Sequence, residues 1–407
     1  MEERHDTIVI GGGQAGLAIS AVLRDRGREH VVLERQRVGE RWRSERWNSL
    51  RFQFPNWSIE LPSFRYVADD PGGFATAAEI LRLLAEYATD APVREHTNVI
   101  AVRRDGDYFT VTTDIGVLRA QHVVIATGPF QRPRIPSIWS DLPTGILQTD
   151  PTHYRAPESL PDGAVLVVGS GASGTQIADE LLDTGRRVFL AVSRHRRVPR
   201  RFRGRDVYWW LDRLGRFAQT IDSFPDRAWP PSTVVTGVNG GYDVDVRRLA
   251  RAGIQVVGRV LGAVGGRVMI APDANPVLDE ADAAYRAFVQ AARTYASTVP
   301  DELTDDDAVK PLTSPVPECS EIDLAREGIT AVVWATGYRY DYGWLHVPVL
   351  DERGRPIQRR GLTSVPGLYF LGLHWMHTFK SGLLSGVGAD AEYLADRFSD
   401  KPSDTRP

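Results

Sequence analysis

Thr7-Ile8-Val9-Ile10-Gly11-Gly12-Gly13-Gln14-Ala15-Gly16 decides the fold. An apolar run of strand character enters a glycine turn, and a helical pattern leaves it. The layout recurs in Val165-Leu166-Val167-Val168-Gly169-Ser170-Gly171-Ala172-Ser173-Gly174. In each copy the first glycine, Gly11 or Gly169, permits a tight bend. The second, Gly13 or Gly171, lets the backbone approach a pyrophosphate, and the third, Gly16 or Gly174, lets helix pack on strand. The helix then offers free N–H groups and a positive end to a phosphate. Gln14 and Ala15 open the first helix, and Ala172 and Ser173 open the second. The pattern predicts an α/β chain with two dinucleotide-binding (Rossmann-like) domains.

The strand after each turn separates the two ligands. His30-Val31-Val32-Leu33 leads to Glu34, whose carboxylate suits a ribose diol and repels a 2′-phosphate, as for FAD or NAD. Arg187 to Val192 instead leads to Ser193, Arg194, His195, Arg196 and Arg197. A guanidinium there forks onto phosphate oxygens, as for NADPH.

Composition bounds the rest. The chain has 407 residues, 42% hydrophobic and 25% charged, with a net charge of −3. That length suggests two domains, and that charge gives no argument for nucleic acid or an anionic membrane as a partner. The lone cysteine, Cys319, excludes an intramolecular disulfide and a Cys-x-x-Cys redox pair. No apolar stretch reaches the roughly 18 residues of a membrane span. The N-terminus lacks a signal-peptide layout, so a cytoplasmic location is expected.

Between the two glycine turns, Thr76 to Ala88 has helical spacing, Val99 to Leu118 alternates as a meander, and His122 to Gly128 reads as a buried strand. Pro133 to Pro161 reads as a linker. Ala331-Val332-Val333-Trp334-Ala335-Thr336-Gly337 repeats the strand and turn of Ile125-Ala126-Thr127-Gly128. Gly367 to Gly372 is one more strand, and a helix is expected to begin near Ser381. The simplest topology inserts the NADPH domain into the FAD domain. The FAD domain takes 1–155 and 331–407, and the NADPH domain takes 156–330 with an insertion at 200–320.

The order of two glycine turns, Glu34, two Ala-Thr-Gly turns and a glycine-rich C-terminal segment resembles the two-dinucleotide-binding-domain flavoproteins. Among them the chain is similar to the class B flavoprotein monooxygenases, the flavin-containing monooxygenase-like enzymes, and to a bacterial branch that carries a cation-transport label. Gly39-Glu40-Arg41-Trp42-Arg43, Arg51 to Trp57 and His374 to Glu392 carry the resemblance most specifically. It implies FAD at Gly11, Gly13, Gln14, Ala15, Gly16 and Glu34, with Arg35, Arg41, Trp42, Ala126, Thr127, Gly128, Gly372, Leu383 and Leu384 beside it. It implies NADPH at Gly169, Gly171, Ala172, Ser173, Gly174, Ser193 and Arg194, with Ala335, Thr336 and Gly337. NADPH would reduce the flavin, and O2 would add to give a C4a-hydroperoxide that oxygenates a small organic substrate at nitrogen, sulfur or a ring carbon. Asn56 matches an asparagine beside the flavin and is the one catalytic candidate.

Two departures stand out. Asp150 occupies the position of the family's linker histidine, with His153 nearby. Gly372-Leu373 replaces the aspartate that many flavoproteins place after the last strand. Rival readings are a Baeyer–Villiger-type monooxygenase and a non-turnover FAD-binding redox sensor or transport-associated flavoprotein. A flavin disulfide reductase fails for want of a dithiol. His374 and His377 lack companions for a metal site. A homodimer is compatible with the sequence and not decided by it. The pocket is expected from the Trp42-to-Phe64 loop, Tyr208 to Trp210, and Trp375.

Overall fold

A computed structural model describes residues 3–225, 234–299, 303–306 and 312–398. Parts of the expected insertion (226–233, 300–302 and 307–311) and the end of the C-terminal part (399–407) lie outside the described residues.

Two parallel sheets organise the chain. In the first, β1 (Glu3–Ile10) lies between β2 (His30–Leu33) and β3 (Val117–Ile125), parallel to both. Ile8 and Val9 are fully buried, and each such side chain contributes roughly 1.5–3 kcal/mol when removed from water. The meander Val99–Asp105 and Tyr108–Thr113 runs antiparallel onto the first half of β3. Its alternating burial is that of a sheet with one wet face.

The second sheet has the order Leu147–Thr149, β6 (Ile329–Trp334), β4 (Ala164–Val168), β5 (Val188–Ala191), Gln255–Val257, all parallel. The chain then returns to the first sheet, where Leu345–His346 pairs with the meander and Leu368–Phe370 pairs with β3 at Val123–Ile125. The second unit is therefore nested in the first.

The sheets move the expected boundaries. Ala331 to Trp334, expected to open the returning FAD part, pair instead with Val165–Val168 in the second sheet. The proline-rich linker also donates a strand to that sheet, Leu147–Thr149, so the second unit begins before residue 156. The last helix runs Val387–Ala395 and is preceded by a 3-10 turn at Phe379–Gly382, rather than starting near Ser381. Lys380 packs so close to Gly386 that a Cβ there would lie 2.3 Å from the Lys380 Cβ. Among the described residues, no helix is long and apolar enough to cross a membrane.

Candidate active site

The two glycine turns share one construction. Gly11 and Gly169 adopt φ of +113° and +115°, a region open to glycine. A Cβ on Gly16 would lie 1.9 Å from the Gly11 carbonyl oxygen, and one on Gly174 1.8 Å from that of Gly169. The third glycine in each turn is thus a packing requirement. A Cβ on Gly13 or Gly171 would have nothing within 4 Å of it, so both face open space.

The helices α1 (Gln14–Asp25) and α2 (Ala172–Asp183) start there with no side-chain cap and no acidic residue in the first turn. Elsewhere in the chain, Thr76, Asp206 and Asp245 do cap helices. An uncapped helix start leaves N–H groups for an outside acceptor. Both turns therefore fit a phosphate.

The turns differ in how their middle residue is held. Glu34, at the end of β2, accepts from the Gly12 N–H at 2.7 Å through one oxygen and from the Gln36 N–H at 2.9 Å through the other. Four residues past the end of β5, buried His195 sets its Nδ1 2.9 Å from the Ser170 carbonyl oxygen. Burial holds the His195 pKa below its ordinary value, favouring the neutral ring, which then donates from Nδ1.

The arginine run after β5 splits by burial. Ser193 and Arg194 are exposed. Arg197 is buried, paired with Asp245 and with Asp282 at 3.1 Å, and Asp282 also receives Arg247 at 3.0 Å. Arg200 is buried against Asp206 at 2.6 Å.

A cavity of about 900 Å³ joins the two turns. Its wall includes Gly11, Gly13, Gln14, Ala15, Glu34, Arg35, Arg41 and Trp42 from the first unit, together with Ala126, Thr127 and Gly128. Gly171, Ala172, Ser173, Ala335 and Gly337 come from the second unit, and Gly372, Leu383 and Leu384 from the returning segment. Gly372 lies so near α1 that a Cβ would fall 2.4 Å from that of Ala15. Gly16, Gly169 and Gly174 stand behind the wall as packing residues. Ser193, Arg194 and Thr336 do not line it, and Thr336 donates its hydroxyl to the Arg134 carbonyl.

Asn56 is buried outside that wall. It opens a 3-10 turn and donates from Nδ2 to the Asp70 carbonyl at 2.9 Å, while its Oδ1 is buried without a partner. The wall takes Phe52, Gln53 and Phe54 from the same loop instead. Of the expected aromatic wall, Tyr208 stands behind Phe54 at 5.2 Å, Trp210 is fully buried, and Trp375 packs on Phe379 at 5.7 Å. None of the three lines the cavity. The linker departure is local: Asp150 is buried, its carboxylate 2.8 Å from His153 Nδ1 and accepting from the Thr152 N–H.

Sequence reasoning missed several wall residues. Gln131 donates to Thr127 Oγ1 and the Gly128 carbonyl, both at 2.9 Å, and its Oε1 accepts from the Asp341 N–H at 2.7 Å. It ties together the two passages between the sheets. His374 stands in the wall, its pKa pushed down to about 4 by desolvation, so it is neutral near pH 7. Arg46, Phe130, Tyr338 and Phe379 are further members of the wall. Their only signal was position, inside or beside segments already marked by glycine or tryptophan.

A family model described as pyridine nucleotide-disulphide oxidoreductase matches residues 8–213. A CzcO-like oxidoreductase of Geobacillus kaustophilus is 33% identical over 403 residues, 97% of this chain and 98% of its own. An indole-3-pyruvate monooxygenase of Oryza sativa subsp. japonica is 27% identical over 202 residues, 47% of this chain and 50% of its own. The solved flavin-containing monooxygenase of Stenotrophomonas maltophilia superposes with a TM-score of 0.68 at 20% identity, covering 97% of this chain and 98% of that one. The last likeness is one of fold, and the fold is the α/β pair of nested dinucleotide domains described above. The chain belongs to the pyridine nucleotide-disulphide oxidoreductase family.

Proposed function

We propose that the chain is an FAD- and NADPH-dependent flavoprotein monooxygenase that transfers one oxygen atom from O2 to a small organic substrate. The continuous cavity between two uncapped glycine turns carries this reading. Bound FAD, reduced by NADPH, supplies the oxygen chemistry.

The chain's own residues bind, orient and exclude water. Gly13 and the α1 start receive the flavin dinucleotide's phosphates, and Glu34, already fixed by Gly12 and Gln36, presents its carboxylate to the ribose. Gly171 and the α2 start receive the phosphates of NADPH, and exposed Arg194 takes the 2′-phosphate. Neutral His374 and the side chains of Phe52, Phe54 and Phe379 give part of the cavity wall an uncharged lining. Asn56 acts as a positioning residue, fixing the loop that carries Phe52 and Phe54 through its bond to Asp70.

A disulfide-reductase role would need a dithiol. The one cysteine, Cys319, lies outside the cavity wall, its Sγ donating to the Glu321 carbonyl. Anaerobic titration with NADPH tests the proposal. Bleaching of the yellow flavin is expected, followed on admission of air by NADPH consumption that rises with an oxygenated amine, thioether or ketone. A flavin that stays yellow under NADPH overturns the proposal and favours a redox sensor.

A further inference from the structure

The charged groups of the cavity wall are paired, held by backbone amides or exposed to water, except at one place. Glu34 is committed to the Gly12 and Gln36 amides. Arg41 pairs with Glu45 at 2.5 Å, Arg132 with Asp341 at 2.7 Å, and Glu40 with Arg37 at 2.8 Å. Arg35 and Arg51 are exposed to water. Arg46 is half-buried in the wall, and among the described residues no carboxylate pairs with it. Its guanidinium donates to one backbone carbonyl, that of Glu45, at 2.9 Å. Trp42 and Phe130 hold it between their rings at 5.5 and 6.0 Å. Desolvation and the neighbouring Arg41 act against its charge, and Tyr338 and Glu45 only partly offset them.

A cation kept in a cavity wall without a counter-charge is a site for an anion. The diphosphates of both dinucleotides already have receivers in the two uncapped helix starts, and Arg46 belongs to neither turn. The anion left over is the substrate's. Around Arg46 the wall is aromatic: Trp42 and Phe130 flank it and Tyr338 stands beside Phe130, with Phe52 next to Trp42. Phe130 stands edge-on to Tyr338 at 5.2 Å, and Trp42 lies 6.4 Å from Phe52.

We propose that Arg46 receives the carboxylate of the substrate, and that the substrate is a small aromatic carboxylic acid. This rests on the monooxygenase reading, because it names what that cavity accepts.

The test is a binding titration on the purified flavin-loaded protein, with phenylacetate and its uncharged counterpart phenylacetamide as probes, followed by tryptophan fluorescence. Wild type is expected to bind the acid at least tenfold more tightly than the amide. In Arg46→Gln that preference disappears, with amide binding and NADPH affinity unchanged. Arg46→Lys keeps part of it, because an ammonium retains charge but loses the fork and the stacking. Equal binding of the two probes by wild type, or binding of neither, overturns the proposal. So does an Arg46→Gln variant that keeps the acid preference while NADPH binding falls tenfold, since Arg46 would then hold a coenzyme phosphate. No turnover is involved in these readings. A protein that NADPH bleaches but that ignores the acid loses this inference alone, and one that prefers the acid but stays yellow loses the monooxygenase reading alone.

Discussion

The two glycine turns are alike where backbone meets backbone and unlike where side chains hold them. Both begin at a glycine with φ near +115°, and both put a third glycine where a Cβ would strike a carbonyl oxygen. The middle residue is then fixed with opposite polarity. In the first turn a carboxylate takes the Gly12 N–H, and in the second an imidazole meets the Ser170 carbonyl. Backbone geometry sets the ability to bind a diphosphate at all. On the proposed assignment, the residues after the neighbouring strand set which ribose follows, because Glu34 in the first turn rejects a 2′-phosphate and neutral His195 in the second does not. Two berths of one shape thus suit the two ligands of different charge that we propose for them.

The severest way to break the likeness is to fill the packing glycine. Gly16→Ala and Gly174→Ala should each cost about 3 kcal/mol or more, since the added carbon meets backbone that cannot rotate away. Denaturant midpoints should fall equally in the two variants. Unequal losses would mean that the turns are not mechanically equivalent.

The open glycines separate ligand from fold. Gly13 and Gly171 have extended backbones that valine tolerates, with empty space where its side chain would go. Gly13→Val should fold with stability changed by less than about 1 kcal/mol and lose most of its FAD. Gly171→Val should keep FAD and bind NADPH at least tenfold more weakly. Absorbance at purification and an anaerobic NADPH titration read the two effects, and a fully flavin-loaded Gly13→Val protein would remove the first turn from the flavin site.

The smallest effect belongs to Arg194. Being exposed, it can be changed to alanine without moving the melting temperature. NADPH affinity should fall severalfold while NADH affinity stays put, as loss of one solvent-facing phosphate contact predicts. Equal losses for both coenzymes would show that Arg194 reads something other than the 2′-phosphate.

Much of this was legible in the chain itself. Apolar runs ending in glycine marked both turns, and the spacing of Ile80, Leu83, Leu84 and Tyr87 marked a helix that the structure places at Ala77–Tyr87. Short pieces were hidden. Leu147–Thr149 has three residues, too few for a period, and becomes a strand because Ala331–Val333 lies beside it. The second Ala-Thr-Gly turn repeats the first so closely that its strand reads as part of the returning first unit, although it pairs in the second sheet. Side-chain direction was hidden as well. Nothing in Arg194-His195-Arg196-Arg197 says which members turn inward, since that depends on Asp245 and Asp282, far along the chain. The same holds for Asn56 and Gln53, three residues apart, of which Gln53 faces the cavity.

The burial of Arg197 limits how coenzyme preference can change over time. Asp245 is buried, and an arginine withdrawn from it would leave that carboxylate without its cation inside the domain, at a cost of roughly 3–5 kcal/mol, while Asp282 would keep only Arg247. Position 194 carries no such debt. With Arg194 as the proposed reader of the 2′-phosphate, drift between NADPH and NADH is open to selection, or to an engineer, at the outer arginine and closed at the inner one, although the two guanidinium groups belong to a single basic run.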